Sequence, residues 1–108
     1  MTEIKFKRKS GQIVSFSMDG HSGYASSGED IVCAALSVLS QSMVIGIEEV
    51  LKINLKYEIE DGFLTLSIED NTEDEINKCQ VLLQTMLKSI ESMIISYGEY
   101  INLEIEEV

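Results

Sequence analysis

Hydrophobic and polar residues alternate in several short stretches of this chain and recur at helical spacing in two longer ones. Residues 3–8 set Ile4 and Phe6 between charged neighbours, the pattern of a half-buried strand. Ser10-Gly11 turns the chain, and residues 12–18 put Val14, Phe16 and Met18 on one face, which predicts a hairpin. From about Glu29 to Leu51, Ile31, Ala35, Leu39 and Met43 fall at helical spacing, and Ser27 and Asp30 have the spacing of a capping box without its usual Glu or Gln. Many further positions of this helix are apolar (Val32, Leu36, Val38, Val44, Ile45, Ile47), so more than one face needs cover. A small sheet does not supply that alone, which predicts packing on a second helix or on another subunit.

The second half repeats the scheme. Residues 53–60 carry Ile53, Leu55, Tyr57 and Ile59 on one side, and Asp61-Gly62 signals a two-residue hairpin turn with positive φ. The return strand holds Leu64, Leu66 and Ile68. Thr72 and Glu75 form a capping box that opens a second helix running to about Tyr97. Its stripe is Ile76, Cys79, Leu83, Met86, Ile90 and Ile94, with Gly98 as its expected C-terminal cap. Ile101, Leu103 and Ile105 mark a last strand. The expected fold is α+β, two helices on a mostly antiparallel sheet in the order ββαββαβ, as one domain over residues 1–108.

Charge changes the picture of partners. Nineteen acidic residues against eight basic ones give a formal net charge of −11. Such a surface repels phosphate backbones, so direct nucleic-acid binding is not expected, and it favours encounter with basic proteins or peptides. Acidity that serves solubility alone is the plainer alternative. No apolar run follows the basic residues Lys5, Lys7, Arg8 and Lys9, so a leader is not expected. The longest uninterrupted apolar run, Ile31–Leu36, is too short to span a bilayer. The expectation is a cytoplasmic protein without membrane attachment, in which Cys33 and Cys79 are free thiols. One histidine and two cysteines without a CxxC spacing argue against a zinc site, and no metal or cofactor is expected.

The chemistry-bearing residues gather at one place. Residues 19–28 hold three glycines and three serines and form the one long connection. Cys33 lies in the first turns of the helix that follows, where the helix dipole favours a thiolate. His21 lies at the other end of the loop, and folding the loop over the helix start brings imidazole to thiol, as a cysteine nucleophile requires. An imidazolium beside a thiolate lowers the thiol pKa below its free value of about 8.5. Asp30 shares a helix face with Cys33, and it serves such a site if it orients His21 or caps the helix. Ser37, one turn beyond Cys33, is placed to meet a substrate, with Ala34 keeping that region small. Gly20 and Gly23 admit close approach of a substrate backbone, although glycines here also serve turns. Backbone N–H groups at the helix start are the expected oxyanion donors. Each residue also has a plainer reading. Cys33 alone reads as a small buried hydrophobe and His21 alone as a solvated loop residue, while Cys79 falls on a core stripe and Tyr24 pins the loop.

The stretch from Gly20 to Ser37 reads Gly-His-Ser-Gly-Tyr-Ala-Ser-Ser-Gly-Glu-Asp-Ile-Val-Cys-Ala-Ala-Leu-Ser. It resembles the signature of the ribosomal-processing cysteine proteases: a Gly-His pair, a Tyr-Ala pair, a Gly, then Asp-Ile-Val-Cys-Ala-Ala and a nearby Ser. The resemblance covers about a sixth of the chain, and the remainder is similar in length, element order and acidity. It implies a bacterial cytoplasmic homodimer that removes the N-terminal extension of a large-subunit ribosomal protein. The family's catalytic histidine and cysteine fall on His21 and Cys33, its aspartate on Asp30 and its serine on Ser37. Two competing readings remain at this point: a non-catalytic ribosome-associated module that holds a basic peptide, and a thiol-redox protein. The second lacks a resolving cysteine close in sequence to Cys33.

Overall fold

The computed structural model describes residues 1–21, 23–25 and 30–108. Its elements are β1 (Thr2–Lys9), β2 (Gln12–Asp19), α1 (Ile31–Ile45), a π-helical turn (Gly46–Val50), β3 (Lys56–Glu60), β4 (Phe63–Ser67), α2 (Glu73–Tyr97) and β5 (Ile101–Glu107). The strands form one sheet in the order β3-β4-β2-β1-β5, antiparallel throughout except for the parallel β1–β5 pair. The expected ββαββαβ order and α+β class are present.

Pairing places Phe6 opposite Phe16, Phe16 opposite Leu66 and Met18 opposite Leu64, so one sheet face is continuously apolar. The two phenylalanine rings meet at 5.0 Å between centroids. Both helices cover this face, with Val32, Leu36, Met43 and Val44 from α1 and Cys79, Leu83, Met86, Leu87 and Ile90 from α2. A bulge interrupts the β1–β2 ladder, because Lys7 pairs with Ser15 and Arg8 with Ile13. Val14 is the extra residue, and both Ile13 and Val14 are buried there, where alternation predicted Val14 alone. Gln80 of α2 repairs the local loss of pairing: its Oε1 accepts from the Ile13 N–H at 2.8 Å, and its Nε2 donates to the Ile13 carbonyl at 2.9 Å.

The departures from expectation have local causes. The buried stripe of α1 is Val32, Leu36, Ser40, Met43 and Val44, one position away from the Ile31–Ala35–Leu39–Met43 register. Ile31 and Ala35 are exposed. The helix does not continue unchanged to Leu51, because the Leu51 N–H donates to the Gly46 carbonyl, closing a wider π turn. Strand β3 begins at Lys56 rather than Ile53, and all five of its residues are exposed. It lies at the sheet edge beyond the reach of the helices, so the expected buried face at Tyr57 and Ile59 is open. Asp61-Gly62 does make the β3–β4 hairpin, but only Gly62 takes a positive φ. Gly98 follows α2 in right-handed rather than left-handed conformation, and the Tyr100 N–H closes the end by donating to the Tyr97 carbonyl. The Thr72–Glu75 capping box forms as expected.

Taken with its π turn, the helix over Ile31–Val50 has 20 residues, and its most apolar 18-residue stretch has a mean hydropathy of 1.8. By length and composition alone that suffices to cross a membrane, which the six-residue run Ile31–Leu36 did not suggest. Part of this apolar character is spent on the sheet, and part remains exposed at Ile31, Val38, Ile45 and Val50.

Candidate active site

Strand β2 delivers the first site residues. After Asp19 the chain turns through Gly20, with φ +94° and its N–H donating to the Gly62 carbonyl at 2.8 Å. A side chain at Gly20 would put its Cβ 2.9 Å from the Met1 carbonyl oxygen, so both the dihedral and the packing require glycine. His21 follows, exposed, with its imidazole resting on the β3–β4 hairpin. A Cβ built on Gly62 would lie 2.9 Å from His21 Nε2, and Gly62 has φ +71°. The hairpin therefore serves the histidine as well as the sheet: its bare Cα makes room for the ring.

Helix α1 delivers the remaining site residues. Asp30 is its N-cap, in extended conformation, and Asp30 Oδ1 accepts from the Cys33 N–H at 2.9 Å. The Asp30 carbonyl also accepts from the Ala34 N–H at 3.0 Å. Asp30 thus caps the helix, one of the roles expected of it. Ser27, Gly28 and the expected helix start at Glu29 lie outside the described residues. Because the amides of Cys33 and Ala34 are engaged by Asp30, these two helix-start N–H groups are not aimed at a substrate, which narrows the expected oxyanion donors.

The two sets of residues meet around one cavity of about 540 Å³. Gly20, His21, Asp30, Cys33 and Ser37 all line it, so the structure gathers five of the six residues singled out from sequence. Gly23 does not line it and lies beside Met1 instead. Cys33 is half-buried. With Ala34, Ser37 and Gln41 it forms a stripe along α1, one wall of the cavity. The opposite wall was not legible in the sequence. It is the end of β3 and the start of β4, with Ile59 and Leu64 apolar and Glu60 and Asp61 acidic. The Asp61-Gly62 pair signalled a turn, and nothing in its spacing signalled proximity to His21. Chemically, a half-buried thiol and an imidazole share a concave surface with both apolar and anionic parts, suited to an extended basic or amphipathic peptide.

Two further sequence expectations are resolved here. Tyr24 is pinned by other rings: its centroid lies 5.8 Å from that of Tyr97 and 5.2 Å from that of Tyr100, both edge-on. Cys79 is fully buried in α2, and desolvation, with a smaller effect from Glu75, pushes its thiol pKa up. It is a core residue and not a resolving thiol for Cys33.

Comparison with known proteins adds independent findings. The family described as Cysteine protease Prp matches over residues 1–102. The Ribosomal processing cysteine protease Prp of Staphylococcus aureus is 32% identical over 96 residues, covering 86% of this chain and 87% of that protein. The crystal structure of SMU.848 from Streptococcus mutans superposes with a TM-score of 0.82 at 28% identity, covering 100% of this chain and 96% of that one. An essential ribosomal processing protease Prp from S. aureus, solved with a covalently linked product peptide, gives a TM-score of 0.82 at 27% identity, covering 98% and 100% of the two chains. These relatives favour proteolysis over a binding-only module. The chain belongs to the cysteine protease Prp family.

Proposed function

We propose that this protein is a cytoplasmic endopeptidase that removes the N-terminal extension of a large-subunit ribosomal protein, with Cys33 as nucleophile and His21 as base. The observation that carries this reading is that His21 and Cys33, the chain's only histidine and its only thiol outside the core, line one cavity. In the first step His21 takes the thiol proton and Cys33 Sγ bonds to the scissile carbonyl carbon. The tetrahedral adduct collapses as the C–N bond breaks, and His21 returns the proton to the leaving amine. Water then attacks the thioester, with His21 as base, and releases the second product and the free thiol. Asp30 supports the nucleophile by holding the first turn of α1 through the Cys33 amide. Ser37 and the cavity's apolar wall contact the peptide, and Glu60 and Asp61 attract its basic residues.

The same reading includes a homodimer. From Ile31 to Ile47 the helical segment has no charged residue, although the chain carries a net charge of −11. Ile31, Val38 and Ile45 form an exposed stripe on it. A second copy can meet this face without bringing like charges together, which supports self-association there.

The test is incubation with the extended ribosomal protein and mass measurement of the products. Wild type yields two fragments, whereas Cys33→Ala and His21→Ala yield none while remaining folded by circular dichroism. Two fragments from Cys33→Ala would end this reading.

A further inference from the structure

We infer that Tyr24, Tyr97 and Tyr100 form an aromatic clasp that positions the catalytic loop, making Tyr97 and Tyr100 positioning residues for the cleavage reaction. This rests on the reading of His21 and Cys33 as the catalytic pair.

The loop between β2 and α1 is fixed at both ends. Gly20 is held by its hydrogen bond to the Gly62 carbonyl, and Asp30 is held as the α1 cap. Between these points, Tyr24 crosses to a different part of the molecule. Its ring meets Tyr97, the last residue of α2, and Tyr100, just before β5, at centroid distances of 5.8 and 5.2 Å. Interplanar angles of 77° and 76° give the edge-to-face geometry in which a positive ring edge meets a negative ring face. Tyr100 is itself tied to the sheet, because its carbonyl accepts from the Thr2 N–H at 2.9 Å. Thr2 in turn lines the same cavity as His21 and Cys33. The clasp therefore connects the loop to the rigid frame through β1.

His21 lies between the fixed Gly20 and the clasped Tyr24. Fixing the chain on both sides of a residue limits the directions in which it leaves the histidine, and so the orientations open to the ring. Neither tyrosine of α2 and its following turn lines the cavity, so neither contacts substrate through it. Their influence passes through Tyr24.

The experiment is a double-mutant cycle on cleavage of the extended ribosomal protein, comparing Tyr24→Ala, the pair Tyr97→Ala/Tyr100→Ala, and the triple variant. Each of the first two lowers kcat about tenfold, the worth of one to two aromatic pairs, with KM changed by less than about threefold. The triple variant loses no more than about twofold beyond either, because all three changes open the same clasp. The Tyr97→Phe/Tyr100→Phe pair keeps the rings and restores kcat. Losses that multiply in the triple variant, an unchanged kcat in the alanine pair, or failure of phenylalanine to rescue would each overturn the clasp. Should the alanine pair not fold, Tyr24→Ala against Tyr24→Phe gives the same comparison from the exposed side of the cluster, and equal kcat in those two would overturn it. His21→Ala and Cys33→Ala, assayed alongside, separate the two levels: activity in either contradicts the catalytic pair, whereas inactivity there with a wild-type rate in the clasp variants contradicts the clasp alone.

Discussion

Replacing Asp30 separates the two roles open to an aspartate beside Cys33, the proposed nucleophile. In the structure its carboxylate caps α1, accepting the Cys33 N–H at 2.9 Å. Truncating an N-cap aspartate to alanine costs about 1 kcal/mol, within a range of about 0.5–2. For a domain of this size that lowers Tm by about 4–6 °C. Asparagine caps nearly as well as aspartate, because its side-chain oxygen reaches the same amide. Asp30→Asn is therefore expected within about 2 °C of wild type, and Asp30→Ala lower by the full amount. Cleavage follows the same order: alanine frees the first turn that carries Sγ, lowering kcat about tenfold by misplacing the nucleophile, whereas asparagine keeps most of the activity. Differential scanning fluorimetry and initial rates on the extended ribosomal protein, run on the same three proteins, provide both numbers. An Asp30→Asn variant with wild-type Tm but the activity loss of Asp30→Ala would show that the carboxylate's charge, and not its cap, is what catalysis uses. Unchanged Tm in Asp30→Ala would refute the cap's contribution outright.

Gly62→Ala meets two obstacles, a φ of +71° and a Cβ placed 2.9 Å from His21 Nε2. The left-handed conformation costs about 1–2 kcal/mol, and the displaced imidazole lowers cleavage further. Denaturant melts and rates equal to wild type would contradict this. Burial raises the Cys79 thiol pKa above its ordinary value. The folded state thus keeps a proton that the unfolded chain loses, so this stabilisation is complete below the unfolded pKa and fades as pH rises through the folded one, by at most about 1.4 kcal/mol per pH unit. Urea melts at pH 8 and pH 10 are expected to show a smaller loss of stability for Cys79→Val than for wild type, and equal losses would refute it. Val38 is 69% exposed in the middle of the uncharged α1 stripe. Val38→Glu is expected to turn a dimer into monomer by sedimentation equilibrium, and a dimer that survives the change would move the interface elsewhere.

What sequence could show depended on how far apart the interacting residues lie. The Thr72–Glu75 box, the Ser10-Gly11 turn and the stripe of α2 are local patterns, and each appears where periodicity put it. His21, Asp30, Cys33 and Ser37 lie within seventeen consecutive residues, so their gathering around one cavity was also readable. The support for His21 was not, because Gly62 belongs to a hairpin forty-one positions later and its spacing encodes only a turn. The exposure of β3 was hidden for a related reason: Tyr57 and Ile59 carry the alternation of a buried strand, and only the strand order shows that no helix reaches them. In α1, apolar residues on nearly every face left the buried register ambiguous by one position, and only packing on the sheet selected Val32 and Leu36 over Ile31 and Ala35. The π turn at Gly46–Val50 has no signature that helical spacing can reveal.

The most direct test of the account is whether the imidazole activates the thiol across the cavity. The rate of Cys33 carboxamidomethylation by iodoacetamide at pH 7, followed by mass spectrometry in wild type and in His21→Ala, measures this without any substrate. A rate at least about tenfold lower in His21→Ala is expected, because the thiol then lacks the base that takes its proton as the sulfur attacks. Equal rates in the two proteins, both folded, would contradict it.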